Sequence, residues 1–345
     1  MPSHADAVMP TAARPIAEIA WTAGAPLPDE ILAATEPVVL RGLVSHWPMV
    51  RAAKTSSQAG DAYLRGFYRD ATVMAMHGAP EIDGRIFYND DLSGFNFSMQ
   101  QVRFDAVLDA LRAHQDDPRP PTLYVGSTTI DACLPGFTAE NDVRLGARDA
   151  LASIWVGNRT RIPAHYDLPD NLACVAAGRR RFTLFPPDQL ANLYIGPLDL
   201  TPAGQAVSLV DFAAPDLQRY PRFATAWAHA QQAELAAGDA IFIPSMWWHH
   251  IEALDSFNVL VNYWWRQSPA YMDTPATTLL HALLTMRDLP SAQRLAWQEL
   301  FRHYVFESDG SEAAHIPVAA RHVLAPIDAV GARMLRAHLL NRIKR

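Results

Sequence analysis

Two polar side chains stand close together in a stretch that is otherwise typical of a buried β-strand. His165 and Asp167 lie in RIPAHYDLPDN, residues 161–171. In an extended segment residues i and i+2 point to the same face, so the imidazole and the carboxylate converge on one small volume. Burying both without a partner is costly. A metal ion would neutralise the carboxylate and occupy the imidazole lone pair, which makes their joint burial favourable.

A candidate third ligand lies far downstream, in AGDAIFIPSMWWHHIEAL, residues 237–254. Neighbouring residues on a strand point to opposite faces, so only one of His249 and His250 can face a shared pocket. Two histidines and one carboxylate on one face of a metal form the ligand set of non-haem Fe(II) oxygenases. From the residues alone, an alternative weighs equally: His165 is a core histidine bonded to a carbonyl, and Asp167 caps a turn.

The composition excludes several classes of protein. The chain has 345 residues, of which 50% are hydrophobic and 10% aromatic, so we expect a well-packed globular protein. Its net charge of −7 gives no reason to expect binding to nucleic acid or to a membrane surface. It contains two cysteines, Cys133 and Cys174, and no recognisable signal or membrane-spanning segment, so we expect a cytoplasmic protein.

The chain changes character along its length. Residues 1–25 are rich in alanine and proline and are expected to form a loose arm. TVMAMHG (72–78) and GRIFYND (84–90) are predicted strands, and residues 99–117 are predicted to form an amphipathic helix. Many short strands between about residues 150 and 265 favour a β-sandwich or barrel, and strongly helical patterns follow.

Several motifs taken together resemble one known family. PAHYD, GRRRFTLFPPDQLANLY, GDAIFIPSMWWHHIEAL and VNYWW are similar to the cupin-like Jumonji-C hydroxylases, and especially to the asparaginyl hydroxylase that modifies hypoxia-inducible factor. The resemblance implies a mainly β fold with α-helices: a double-stranded β-helix (cupin or jelly-roll) core with flanking helices over residues 26–268. It also implies a helical C-terminal unit, 269–345, through which we expect a homodimer to form.

The same resemblance implies the cofactors and the ligands. Members of this family use Fe(II), 2-oxoglutarate and dioxygen, and the ligands implied here are His165, Asp167 and His249, since the first histidine after the tryptophan pair is the ligand.

The resemblance also implies residues that bind the co-substrate. A lysine commonly holds the distal carboxylate of 2-oxoglutarate, and Arg180 stands at that position here, in a chain with only two lysines. Arginine can grip a carboxylate through two hydrogen bonds, but it is longer and planar. The alternative is that Arg180 belongs to a solvated turn. Tyr124, Asn171 and Asn262 match further pocket residues, and Ile162 replaces a threonine that bonds the co-substrate.

The predicted function is hydroxylation of a C–H bond in a peptidyl or protein residue. A small-molecule hydroxylase is the nearest alternative. A metal cupin enzyme that does not use 2-oxoglutarate, and a non-catalytic binding protein that keeps the fold, are the others. Each of these alternatives is compatible with the residue pattern alone.

Overall fold

The structure, a computed structural model, describes residues 12–344. The chain divides into two compact units, one ending at Arg266 and the other beginning at Gln267. The strands are β1 Arg14–Pro15, β2 Ala17–Ala20, β3 Val38–Arg41, β4 Thr72–Gly78, β5 Phe97–Arg103, β6 Thr122–Thr129, β7 Leu151–Gly157, β8 Arg161–His165, β9 Asp170–Ala177, β10 Arg179–Phe185, β11 Gln231–Ala236, β12 Ala240–Ile243, β13 Trp248–Ala253 and β14 Asn258–Trp265.

Short helices flank these strands in the first unit. They are α1 Asp29–Leu32, α2 Pro48–Thr55, α3 Ser57–Phe67, α4 Phe104–Ala113, α5 Ile130–Cys133, α6 Phe137–Glu140 and α7 Phe223–Ala228. The second unit contains α8 Pro275–Thr285, α9 Ser291–Phe301 and α10 Ala329–Ile343.

The strands of the first unit form two sheets that pack face to face. The smaller sheet has the order β1-β11-β10-β13-β8, and the larger has the order β2-β3-β12-β9-β14-β7-β6-β4-β5. Side chains of both sheets meet in one buried cluster, with Phe182 and Leu184 from the smaller sheet against Val175 and Ile241 from the larger. The predicted mainly β fold, with a cupin core and flanking helices, is confirmed.

Helices cover the other face of the larger sheet. Val73 of β4 and Val125 of β6 join a second buried cluster with Leu64 of α3 and with Phe104 and Leu108 of α4. Because successive strand residues point to opposite faces, the alternate residues of the same strands lie on the opposite face of the larger sheet. The larger sheet therefore has one face fixed in a core and one face available to form a site.

Two of the predicted elements differ from the structure. Residues 84–90 form no regular strand but only isolated bridges, Arg85 with Arg161 of β8 and Tyr88 with Phe95, and the side chain of Asn96 bonds the backbone between them. Residues 97–103 form strand β5, paired with β4, and the helix predicted from residue 99 begins only at Phe104.

The first part of the predicted N-terminal arm, residues 1–11, lies outside the described residues. From Arg14 onward the segment forms strands: β1 pairs with β11 and β2 pairs with β3, both in parallel. Within residues 12–344, no helix combines the length and the apolar character needed to cross a bilayer.

The second unit leaves most of its apolar side chains in solvent. Ala313 and Ala332 are its buried hydrophobic residues within the described part of the chain, whereas Leu284 is 79% exposed and Phe306 is 77% exposed. Contiguous apolar surface on this scale is typical of an interaction site.

We propose that the second unit associates with a second copy of the chain. Wild-type protein is then expected to sediment as a dimer in analytical ultracentrifugation, and Leu284→Glu is expected to shift it toward monomer, because burying an unpaired carboxylate is costly. Leu190→Glu, at a leucine of the first unit that is 54% exposed, is the control. A monomeric wild type would contradict the proposal.

Gly178 permits the tight turn that leads into β10. It has φ +73°, and a Cβ there would lie 2.3 Å from Asn258 Oδ1 and 2.7 Å from the Phe257 carbonyl oxygen. Gly178→Ala is therefore expected to lower the free energy of unfolding by about 2–3 kcal/mol in urea titration, from backbone strain plus the clash. Gly24→Ala, with φ +76° and open space around the new methyl, is expected to lose only about 1 kcal/mol. If both variants lost the same free energy of unfolding, a steric clash of the new methyl group at position 178 would be ruled out.

Candidate active site

Strand pairing within the smaller sheet brings the predicted ligands together. His249 of β13 lies directly opposite His165 of β8, with ring centroids 4.4 Å apart. His249 Nε2 is 3.6 Å from Asp167 Oδ2. One possible ligand atom from each of the three residues lies within 4.8 Å of the others, so a single ion can contact all three.

Backbone carbonyls fix the orientation of both imidazoles. His165 Nδ1 lies 2.9 Å from the Pro163 carbonyl oxygen, and His249 Nδ1 lies 2.9 Å from the Trp247 carbonyl oxygen. A carbonyl only accepts, so each Nδ1 carries the hydrogen and each Nε2 keeps its lone pair. This is the outer support that metal-binding histidines commonly have.

Burial keeps His249 in the form that can bind a metal. Removal from water, reinforced by the neighbouring His165, lowers the pKa of His249 to about 4, although the carboxylate of Asp167 acts in the opposite direction. The imidazole is therefore neutral near pH 7.

The turn that carries Asp167 is tied to the segment before β13. The Met246 amide donates to the Asp167 carbonyl oxygen at 2.9 Å, and the Ser245 hydroxyl donates to the Leu168 carbonyl oxygen at 2.6 Å. The Ser245 amide also donates to Asp170 Oδ1 at 2.9 Å. These bonds fix the distance between the Asp167 turn and the strand that carries His249.

A cavity of about 450 Å³ opens over the three residues, between the two sheets. It is lined by every site residue predicted from the sequence: His165, Asp167, His249, Arg180, Tyr124, Asn171 and Asn262. Ile162, at the position of the family's threonine, also lines it. His250 points away from His165 and packs against Phe212, with ring centroids 4.6 Å apart.

Arg180 is a buried cation without a bonded partner. It lies on β10 and is 1% exposed, and its Nε and Nη2 atoms have no hydrogen-bond partner within the described residues. Burial lowers the pKa of the guanidinium from its ordinary value, while proximity to Tyr124 acts the other way. On either side, Arg179 and Arg181 point outward and pair with acidic residues. The position of Arg180 is thus in a strand rather than in a solvated turn.

Tyr124 reaches the same cavity from the larger sheet. It lies on β6 and stacks on Trp155 at 5.9 Å. Burial raises the pKa of its phenol, so the hydroxyl stays protonated and can donate a hydrogen bond.

Asn171 and Asn262 form a bonded pair on the larger sheet. Asn262 Nδ2 donates to Asn171 Oδ1 at 2.7 Å, and Asn262 Oδ1 has no partner within residues 12–344. Six residues separate His165 from Asn171, so the two would share a face only if one regular strand continued through both, and it does not. The chain leaves β8 after His165 and enters β9 of the other sheet at Asp170, so Asn171 faces the cavity from the opposite side.

Sequence reasoning missed the apolar wall of the cavity. Trp155, Trp264, Leu260 and Ile251 line it, as do residues 201–205. The alternation of β14, in which Leu260, Asn262 and Trp264 share a face, could have identified two of these residues once Asn262 had been singled out.

Comparisons with known proteins identify the family. Residues 25–271 match the family described as a cupin-like domain. The chain belongs to this cupin-like, Jumonji-C family.

Three relatives illustrate its range. Lysine-specific demethylase JMJ31 of Arabidopsis thaliana is 35% identical, over 69% of this chain and 48% of its own. Lysine-specific demethylase 8 of Xenopus tropicalis is 29% identical, over 69% and 49%. tRNA wybutosine-synthesizing protein 5 of Danio rerio is 37% identical, over 31% and 29%. The chain spans about half the length of the first two relatives.

The geometry predicts which histidine binds metal. His249→Ala is expected to weaken Mn(II) binding by at least about 100-fold in anaerobic calorimetry, because a ligand is lost from the set. His250→Gln, at the adjacent position on the opposite face, is expected to bind with nearly wild-type affinity. Similar losses in the two variants would contradict the assignment, and thermal melts would show whether each variant is folded.

Proposed function

We propose that the protein is an Fe(II)- and 2-oxoglutarate-dependent dioxygenase that hydroxylates a C–H bond of a peptidyl residue. One observation carries this proposal: a His-Asp-His group and an unpartnered, buried arginine face the same cavity. The first is a site for a divalent metal, and the second is a site for an anion.

The donor set fits Fe(II). Two imidazoles, from His165 and His249, and the carboxyl group of Asp167 supply three ligands on one side and leave other positions open. When bound, Fe(II) and 2-oxoglutarate supply the oxidising chemistry: dioxygen is consumed, 2-oxoglutarate becomes succinate and carbon dioxide, and a substrate C–H becomes C–OH.

Arg180 fits the distal carboxylate of 2-oxoglutarate. A buried guanidinium without a partner is costly, and a carboxylate that accepts from Nε and Nη2 removes that cost. Tyr124 lines the same cavity and can donate a further hydrogen bond. Arginine therefore takes the role that the family commonly gives to lysine, and the lost threonine at Ile162 is compensated by the second donor of the guanidinium.

The remaining cavity residues orient the substrate and exclude water. The Asn171–Asn262 pair leaves the Asn262 carbonyl oxygen free to accept a bond. Trp155, Trp264 and Ile162 form an apolar wall beside it. Such a wall restricts solvent access and holds the reacting carbon in one place.

Two relatives are named lysine-specific demethylases and one is named for tRNA modification. The net charge of −7 disfavours a nucleic-acid substrate, since phosphate contacts depend on basic residues. A peptidyl substrate is therefore the better supported of the two. Arg180 also separates this function from a metal cupin that needs no 2-oxoglutarate, because that enzyme would leave the arginine without a partner.

The test is co-substrate binding and turnover. Arg180→Met is expected to raise the KM for 2-oxoglutarate about 100-fold or more, because a charge-assisted, two-bond contact is lost. Arg180→Lys is expected to recover part of the affinity for 2-oxoglutarate. Arg181→Ala, on the outward face of the strand, is the control and should leave the KM nearly unchanged. Anaerobic titration of Fe(II) protein with 2-oxoglutarate should produce a charge-transfer absorption band. Absence of the band and of succinate formation would favour a non-catalytic binding protein.

A further inference from the structure

We propose that strand β5 and its neighbour β4 bind the polypeptide substrate as an added, uncharged β-strand whose apolar side chains rest on a methionine shelf. The shelf consists of Met74, Met76, Phe97 and Met99. The inference rests on the proposed function, because it names how the substrate of that site is held.

The shelf is continuous with the active-site cavity. Met76 lies opposite Met99, and Gly78 lies opposite Phe97, in the β4–β5 pairing. Met76, Phe97 and Met99 all line the cavity that holds the His-Asp-His group. Met74 is two residues from Met76 and so lies on the same face, farther from the cavity. The shelf thus extends the cavity wall outward along the larger sheet.

The shelf is exposed although it is apolar. Met74 is 50% exposed and Met99 is 53% exposed, whereas Val73 and Ala75, on the other face of β4, are buried in a core with α4. Phe97 stacks on Phe95, with ring centroids 5.1 Å apart. Methionine is adaptable and recurs at surfaces that receive varied apolar side chains.

The outer edge of β5 is unpaired. β5 is the last strand of the larger sheet, and no other strand of residues 12–344 joins it there. The Phe104 amide donates to the Ala71 carbonyl oxygen at 3.1 Å. Bonded residues alternate in an antiparallel pair, so the N–H and C=O groups of Met99 and Gln101 point away from β4. They can therefore bond an incoming strand.

This edge lacks the features that usually block strand addition. The segment FSMQQV, residues 97–102, has no proline and no charged residue. Natural sheet edges are commonly protected by lysine, proline or covering elements, because an open edge invites pairing with another chain. An edge that is open and uncharged over residues 97–102, beside the cavity, is therefore best explained by a partner that pairs with it.

The occupant follows from these features. A strand added to β5 places every second side chain on the shelf face, and main-chain bonds give affinity independent of sequence. The absence of charge within 97–102 disfavours a nucleic-acid strand, which needs basic contacts, and gives no reason to select charged side chains. The substrate segment is thus an extended polypeptide with apolar residues at alternate positions around the modified one.

Selection of random twelve-residue peptides displayed on phage tests the proposal directly. The target is the full chain, immobilised under argon with Fe(II) and 2-oxoglutarate. Selected peptides should show apolar side chains at every second position and few charged ones. A selected peptide should protect the amides of Met99 and Gln101 from hydrogen exchange, a readout that does not depend on turnover.

Matched variants separate the edge from the shelf. Gln101→Pro removes an outward N–H and should weaken binding of the peptide about ten-fold, whereas Gln101→Ala keeps that N–H and should bind nearly as wild type. Met99→Ser should also weaken binding about ten-fold, and Leu190→Ser, at an exposed leucine away from the shelf, should not.

The proposal would be overturned by selected peptides without the two-residue period, by peptide binding unchanged in Gln101→Pro, or by self-association of the chain that Gln101→Pro abolishes. Binding of single-stranded RNA that Met99→Ser abolishes would also overturn it. If binding behaves as expected but succinate never forms, the proposed function fails while the docking surface stands. If succinate forms but peptide affinity is unchanged in Met99→Ser and Gln101→Pro, only the proposed docking surface is contradicted.

Discussion

The pairing of β8 with β13 is the constraint on which the site depends. It sets His249 opposite His165, and a one-residue slip would place His250 there instead and turn every side chain of the strand over. The slip is prevented because β13 is also paired with β10 and because Ser245 and Met246 bind the turn that carries Asp167. The metal-binding geometry is thus set by backbone hydrogen bonds before any ion arrives.

The two sheets contribute different chemistry to the cavity. The smaller sheet supplies the ligand group and the unpartnered cation Arg180. The larger sheet supplies the tyrosine hydroxyl, the asparagine pair and three apolar side chains of the wall, Trp155, Leu260 and Trp264. A buried polar atom without a hydrogen-bond partner is costly in a packed core. The unpartnered atoms of Arg180 and Asn262 face the cavity, where a bound ligand can complete their hydrogen bonds.

Much of the site could be predicted from the sequence because its signals are local. The i, i+2 spacing of His165 and Asp167 follows from strand alternation. Alternation also shows that Arg179, Arg180 and Arg181 cannot all face inward, but it was the family resemblance that selected Arg180. Asn171 lies on the opposite sheet from His165, and no local signal shows that the chain changes sheets between Asp167 and Asp170. Sheet membership depends on long-range pairing, which residue spacing does not report.

The strand β5 was missed for a similar reason. The apolar spacing of α4, every three to four residues, continues backward through Ala106, Val102 and Met99. Glutamine, which occupies positions 100 and 101, is also a good helix former, so the segment resembles the first turns of a helix. Pairing with β4 outweighs that preference, and the helix starts where Arg103 turns the chain.

Arg180 and His249 lie on directly paired strands, with Arg180 opposite Ala253 and His249 opposite Leu184. Their separation along the ladder is four residues, on the order of 13 Å between backbones. Because paired strands keep their register, the distance between these two positions is fixed. Under the proposed function, a dicarboxylate that contacts both the metal site and Arg180 needs the number of methylene groups that matches this spacing, so the strand pairing would set which chain lengths fit.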